Sequence, residues 1–365
     1  MKYRRVRAMA RKEFLHIVRD VRSLTMALLV PLFMLMLFGY ALSLDVDQIP
    51  TLIVDQDRTP ASRELRERFA GTPYFDVMGV EASAKDVDRL IDSGKILLAV
   101  VIPAGFERDL TRRARPAVQV VLDGSDSNTA SIALNYAQGL ILAWGQGRAV
   151  APVEAQVRVW YNSDLKSRNF LIPGLIAVTL MIIASLLTSL TIAREWENGS
   201  MEQLLSTPLR PAEIVLGKLA AYFLVGGVDV VTAVLLGVFV FDVPLRGSLV
   251  LLAFSSGLFL VGVLSWGILI SAVAKTQLLA YQMGMLSSFL PGFLLSGFIY
   301  SIDNMPAPIQ MVSYIVPARY YIAILKALYL KGEGVALLWP QLVFLFVYAV
   351  IVFTVATRKI GHKVA

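Results

Sequence analysis

The chain has no cysteine, which excludes disulfides and thiolate metal sites and leaves the redox compartment unread. Histidine is nearly absent too: only His16 and His362 occur, far apart in sequence, which argues against a histidine-built zinc site. Charge is scarce. Asp, Glu, Lys and Arg make up 17 % of the 365 residues, against about a quarter in soluble domains, while hydrophobic residues reach 56 % and mean hydropathy is +0.65. A G-x-x-x-x-G-K-(S/T) phosphate loop is also missing. "LGKLA" at 216–220 has the Gly-Lys pair but lacks the upstream glycine and the magnesium-binding hydroxyl. ATP hydrolysis, where it is needed, must come from another polypeptide.

The charge that exists is unevenly spread, and the uncharged runs predict a polytopic α-helical membrane protein. Six segments reach the roughly 20 apolar residues that cross a bilayer: 24–44, 170–193, 219–241, 248–274, 276–302 and 335–357. Of these, only the third carries an ionisable acid or base, Asp229. Residues 1–23 hold Lys2, Arg4, Arg5, Arg7, Arg11, Lys12, Arg19 and Arg22 against Glu13 and Asp20, and the tail 358–365 holds Arg358, Lys359 and Lys363. By the positive-inside rule both ends are expected in the cytoplasm, as an even number of spans requires. The net charge of +7 is therefore mostly juxtamembrane. No basic stripe with interleaved aromatics points to nucleic acid. The first apolar run is too long for a cleaved signal peptide and reads as an uncleaved anchor.

The segment 45–169 then lies outside the cytoplasm and is long enough to be a domain. Strand patterns at 51–57, 74–80, 96–103, 117–124 and 153–162 alternate with helical patterns at 60–70, 83–95, 104–113 and 125–148. Such alternation predicts a small α/β domain. Asp55 and Asp57 read as a solvated strand end. Asp123, Asp126 and Asn128 lack EF-hand spacing and read as a strand-ending turn followed by a helix cap.

Between the second and third spans lies "REWENGSMEQLLSTPLRP", residues 194–211. Ser200 and Gln203 have the spacing of a capping box. Met201, Leu204 and Leu205 fall on one side, and Pro208 and Pro211 stop the helix. Glu195, Glu197 and Glu202 sit at or before its first turn, where the helix dipole favours negative charge. The expected result is a short helix with an apolar tip just below the membrane. It would either dip into headgroups or dock on a protein. Its acidic surround favours the protein, because membrane-surface helices are usually basic. In residues 1–23, Phe14, Ile17, Val18 and Val21 share a face ringed by Arg and Lys. This basic amphipathic helix is either an interfacial anchor or a second contact surface for the same partner.

Three stretches resemble the membrane permease of type-2 ATP-binding-cassette (ABC) transporters, in the bacterial drug-efflux branch with a large extracytoplasmic domain. They are "ARKEFLHIVRD" at 10–20, "AREWENGSMEQLLSTPLRPAEIVLGK" at 193–218 and "LLSGFIYSIDNMPAPIQMVSYIVPARYY" at 294–321. The middle one is the most specific: Arg194, Glu195, Glu197, Gly199, Ser200, Glu202, Gln203, Leu204, Leu205, Thr207 and Pro208 fill a run that family members share. The resemblance implies that 194–218 carries a coupling helix, seated on a separate ATPase subunit that holds ATP and magnesium. It implies that the N-terminal helix touches the same subunit. It further implies short or re-entrant helices at 303–334, and a pathway built by two permease copies or by this chain and a sister permease. A periplasmic adaptor is a further candidate partner. No cofactor, metal or catalytic residue is expected on this chain. Its implied work is ATP-driven export of drugs or other amphipathic compounds across the bacterial inner membrane.

Asp229 is open to two readings. An intramembrane carboxylate lines a pathway, or it hydrogen-bonds a neighbouring helix beside Gly226 and Gly227. Gly174, Gly257, Gly262 and Gly267 read as close-packing positions. Two other classes of membrane protein make different demands. A membrane receptor would need an output domain, and an ion-driven secondary transporter would need repeated halves and more intramembrane charges. Neither pattern is present.

Overall fold

The structure, a computed structural model, describes residues 2–41, 48–81, 85–92, 95–112, 117–123, 127–146, 167–274, 276–300, 302 and 305–362. In chain order its helices are α1 (Tyr3–Arg19), α2 (Val21–Ala41), α3 (Pro60–Ala70), α4 (Lys85–Asp92), α5 (Phe106–Thr111), α6 (Ser127–Gln146) and α7 (Ser167–Glu197). There follow α8 (Ser200–Leu205), α9 (Pro211–Leu235), α10 (Leu249–Val273), α11 (Gln277–Leu294), α12 (Ala307–Ser313), α13 (Pro317–Lys326) and α14 (Val335–His362). The strands are β1 (Ile49–Asp55), β2 (Phe75–Glu81), β3 (Leu98–Ile102) and β4 (Gln119–Leu122). Two compact units divide the chain: Leu44–Val159, and Met1–Ser43 together with Trp160–Ala365.

The smaller unit is the α/β fold that the alternation predicted. Its sheet has the order β2-β1-β3-β4, with β1 parallel to β2 and β3, and β4 antiparallel to β3. The two-residue period of a strand sends alternate side chains to opposite faces. Leu98, Val100 and Ile102 join Ile49, Leu65, Phe69 and Phe106 in one core. Ala99 and Val101 join Leu52, Val54 and Val87 in the other. With both faces covered, the central strands β1 and β3 read as near-continuous apolar runs. The strand expected at 153–162 and the turn at 124–126 lie outside the described residues.

Asp55 and Asp57 differ from the solvated strand end expected of them. Asp55 is buried and accepts from the Asp57 and Arg58 amides (3.1 and 2.9 Å) and from the Ser62 hydroxyl (2.9 Å). Asp57 accepts from the Gly105 amide (2.6 Å), the Glu107 amide (2.9 Å) and the Thr59 hydroxyl (2.7 Å), so it caps α5 from across the sheet end. Partial burial pushes its carboxyl pKa up. The Thr59 hydroxyl and the amides of Glu107, Gly105 and Phe106 outweigh that and hold it below the usual carboxylate range.

Among the described residues of the larger unit, four helices are long and apolar enough to cross a membrane: α7, α9, α10 and α14. The pair α12–α13 is bent by 81° and counts as a fifth only if taken as one broken span. The expectation of six full spans is therefore met only in part. The first run appears as α2, whose apolar stretch Ala27–Ala41 is short, and residues 42–47 lie outside the described set. The fifth run ends at Leu294 rather than 302, since Gly297 adopts φ +78° in the turn beyond it. Conversely, α7 runs on to Glu197 and α14 to His362, past the apolar boundaries at 193 and 357.

Helix α7 is the hub, buried along most of its length and flanked by α2, α9, α10, α11 and α13. A hub helix has no lipid-facing side, so its small polar residues point into protein. Thr179 and Thr188 return their hydroxyls to their own helix carbonyls (2.7 and 2.8 Å). A Cβ at Gly267 of α10 would run into the Thr188 hydroxyl and lie 2.5 Å from the Ser185 carbonyl oxygen. One at Gly284 of α11 would lie 2.8 Å from the Ser189 hydroxyl. Small residues thus let α10 and α11 approach α7 closely. Gly174 and Gly262 face Phe298 and Tyr348 in the same way, whereas Gly257 meets Phe223 only at an ordinary 3.6 Å.

Candidate functional site

The segment between α7 and α9 folds differently in detail from its sequence pattern. Gly199 takes the left-handed conformation (φ +68°) and is itself the N-cap of α8, so no capping box forms. Ser200 becomes the first helical residue and donates to the Glu195 carbonyl at 3.3 Å. Pro208 does follow the helix end, but Pro211 opens α9 as its first residue instead of stopping α8. Met201 and Leu204 are buried, so they anchor α8 to the body and do not project as an apolar tip. Leu205 closes α8, and its side chain lies outside the described set. Glu202, Gln203, Ser206, Thr207 and Pro208 are exposed.

The acids before α8 are largely consumed inside the protein. Arg194 pairs with Asp20 at the α1–α2 junction (3.2 Å) and donates to the Gln277 side chain at 3.3 Å. Glu197 accepts from the Gln277 amide at 2.9 Å. Glu195 is buried between two lysines: Lys12 of α1 at 2.8 Å and Lys218 of α9 at 3.1 Å. The acidic surround expected of the loop therefore reduces to Glu202 on α8 itself, with Glu197 at its edge.

Helix α1 turns Met9, Glu13 and Ile17 inward, a stripe at i, i+4 and i+8. Ile17 thus leaves the face proposed for it, while Phe14, Val18 and Val21 stay exposed with Tyr3 and Leu15. The inward stripe lies on α9. A Cβ at Gly217 would sit 2.5 Å from Met9, so the glycine makes room for α1. Glu213, in the first turn of α9, accepts from the Lys2 amide (2.9 Å) and the Arg210 amide (3.1 Å), with the Arg5 guanidinium at 3.7 Å. One carboxylate therefore serves the open N–H groups at the starts of both helices. Arg5 also donates to the Pro208 carbonyl at 2.5 Å, which ties α1 to the α8 loop.

At the centre, Lys218 is fully buried and reaches Glu13 (2.9 Å), Glu195 (3.1 Å) and the Thr191 hydroxyl (3.0 Å). Sequence reasoning missed this cluster. The available signal was a glutamate on the apolar stripe of α1, and a lysine followed by a long uncharged run. Asp229 lies elsewhere on α9, buried against Leu28, Pro31, Leu32 and Leu35 of α2 around a cavity of about 10 Å³. Pro31 has no N–H, so the Ala27 carbonyl lacks its helical donor there.

Long apolar helices on a packed hub, with charged staples gathered at one end, define a multi-pass membrane protein of the permease type. The model described as ABC-2 family transporter protein matches residues 22–358, and the chain belongs to this family. It is 38 % identical to the probable multidrug ABC transporter permease YbhS of Escherichia coli (strain K12), over 96 % of this chain and 95 % of that protein. It is 32 % identical to the probable multidrug ABC transporter permease YbhR of the same strain, over 93 % of this chain and 94 % of the relative. The inner membrane transport permease YhhJ is 27 % identical over 85 % of this chain and 84 % of its own length. The chain is thus the permease subunit of an ABC exporter, with the ATPase on a separate subunit; the ion-driven carrier and receptor readings are not favoured. Membership of the family implies an ABC ATPase partner and dimerisation.

Proposed function

We propose that this permease exports drugs or other amphipathic compounds outward, as half of a pathway completed by a second copy or a sister permease. In this reading six helices cross the bilayer: α2, α7, α9, α10, α11 and α14. Both basic ends lie in the cytoplasm of a bacterial cell, at its inner membrane. The α/β unit lies outside, as a seat for a periplasmic adaptor, and α12–α13 enter the outer leaflet. The description of YbhS and YbhR as probable multidrug permeases supports a drug cargo.

The ATPase, carrying ATP and magnesium, docks on the exposed edge of α8 with Phe14 and Val18 of α1 and Val21 at the start of α2 beside it. One observation carries this: α8 presents Glu202 and Gln203 outward while Met201 and Leu204 hold it rigidly from beneath. A docking helix must transmit force, and an anchored helix with a polar outer edge does so without dissolving in lipid. Asp229 packs α2 against α9 in this scheme. A partner ATPase should co-purify with the wild-type chain and be lost from Glu202→Arg/Gln203→Arg, with the permease itself still in the membrane. Retention of the ATPase by that variant would refute the docking site.

A further inference from the structure

We propose that Lys218 is a positioning residue of the transport cycle: it locks α1 to α7 and α9, so that α1 and α8 deliver the ATPase stroke as one body. The inference rests on the docking reading above, and it goes beyond that reading in naming what makes the docking surface rigid.

A lysine ammonium has three donors and no acceptor. At Lys218 two donors go to hydrogen bonds, with Glu13 on α1 at 2.9 Å and Thr191 on α7 at 3.0 Å, and Glu195 on α7 stands 3.1 Å away as an ion pair outside hydrogen-bond geometry. Lys12 closes the ring from α1, 2.8 Å from Glu195 and 3.6 Å from Glu13. Two cations and two anions from three helices cancel, so no net charge remains to recruit a ligand. The Gly-Lys pair of "LGKLA" is a staple, not a phosphate site.

The geometry is intolerant of sliding. Helix positions are spaced by about 1.5 Å along the axis, so a shift of one residue between α1 and α9 would part these contacts and strand charges away from water. Two further ties act in parallel. Glu213 serves the N-termini of α1 and α9 together, and Arg5 holds the Pro208 carbonyl after α8. Without Lys218, α1 keeps its apolar stripe and these N-terminal ties but loses the charged link from α9 to Glu13 and Glu195 in its middle. The ATPase could then still bind and hydrolyse ATP while part of its stroke is spent moving α1 against the spans.

The test uses the full chain with its ATPase in proteoliposomes, reading ATP hydrolysis and export of a lipophilic fluorescent dye. Because the chain has no cysteine, introduced pairs are unambiguous. Ile17 and Ala221 lie in one buried cluster a turn beyond Glu13 and Lys218, and Ile17→Cys/Ala221→Cys is the pair to oxidise, its disulfide between α1 and α9 verified by mass spectrometry before transport is read. Lys218→Met is expected to keep its ATPase and its hydrolysis while dye exported per ATP falls about tenfold. Glu13→Gln/Lys218→Met restores charge balance and thermal stability but not the export ratio, whereas a purely structural role would be rescued. Oxidising the cysteine pair in the Lys218→Met chain should bring the ratio back to within about threefold of wild type, and reduction should abolish that gain.

An unchanged export ratio in Lys218→Met, or its recovery by charge balance alone, overturns the proposal. If Lys218→Met does not assemble, the oxidised pair in the otherwise native chain decides. Undiminished export supports one moving body, and blocked export overturns it. Failure of the docking reading is seen separately, as ATPase retention by Glu202→Arg/Gln203→Arg.

Discussion

Placing one methyl group at Gly267 separates backbone propensity from helix packing. The Cβ of Gly267→Ala would meet the Thr188 hydroxyl, the Ser185 carbonyl oxygen at 2.5 Å and the Ser189 amide nitrogen at 3.1 Å. The last two are backbone atoms of the buried hub helix, so no rotamer change relieves them, and α10 must back away from α7. Gly227→Ala on α9 is the matched control, because a Cβ there meets nothing within 4 Å. Both substitutions gain about 1 kcal/mol of helix propensity. Their difference therefore isolates the overpacking cost, about 1–3 kcal/mol. Gly227→Ala should come out slightly stabilised and Gly267→Ala destabilised. At about 2–4 °C per kcal/mol for a unit of this size, the gap is readable as a shift in thermal midpoint. The five tryptophans provide the signal in detergent micelles, and both variants must be heated at one scan rate because unfolding of such proteins is often irreversible. Equal midpoints for the two variants would refute the reasoning that α10 touches α7 through Gly267.

Three further predictions follow the same logic. Asp57 has a folded pKa below its ordinary value, so its stabilisation is fully present above the unfolded pKa of about 4 and is lost as pH falls through the lowered folded value. Thermal midpoints of wild type should therefore exceed those of Asp57→Asn at pH 7, with the gap closing below about pH 4. A gap that persists or widens in acid would contradict the capping role. Gly199→Ala puts a side chain at φ +68°, costing about 1–2 kcal/mol, and should weaken ATPase co-purification, while Gly199→Asn, which tolerates that conformation, should be milder; equal effects would refute the turn assignment. Phe69→Ala empties the core of the α/β unit, where Phe69 packs 4.9 Å from Phe75, and should cost about 3–5 kcal/mol, seen as faster proteolysis between residues 48 and 146 of the full chain.

The sequence by itself determined the elements. Apolar runs without charge have one stable form in a bilayer, the helix, so the long helices α7, α9, α10 and α14 were readable with ends in error by several residues. The alternation of strand and helix patterns before α7 was equally readable, because each period names the face that must be buried. Tertiary structure alone decided which faces meet. In a helix as short as α8, Met201 and Leu204 share a side whether that side points to lipid, to a partner or inward; their burial depends on the body beneath. Proline is as consistent with a start as with a stop, and Pro211 is a start because Glu213 and α1 complete its first turn. By sequence Glu195 belongs to an acidic surround, and Lys218 is only the lysine of an incomplete phosphate loop. Only the approach of α1 to α9 at Gly217 brings them together with Glu13, since complementary charges many residues apart carry no local period that would reveal the pairing.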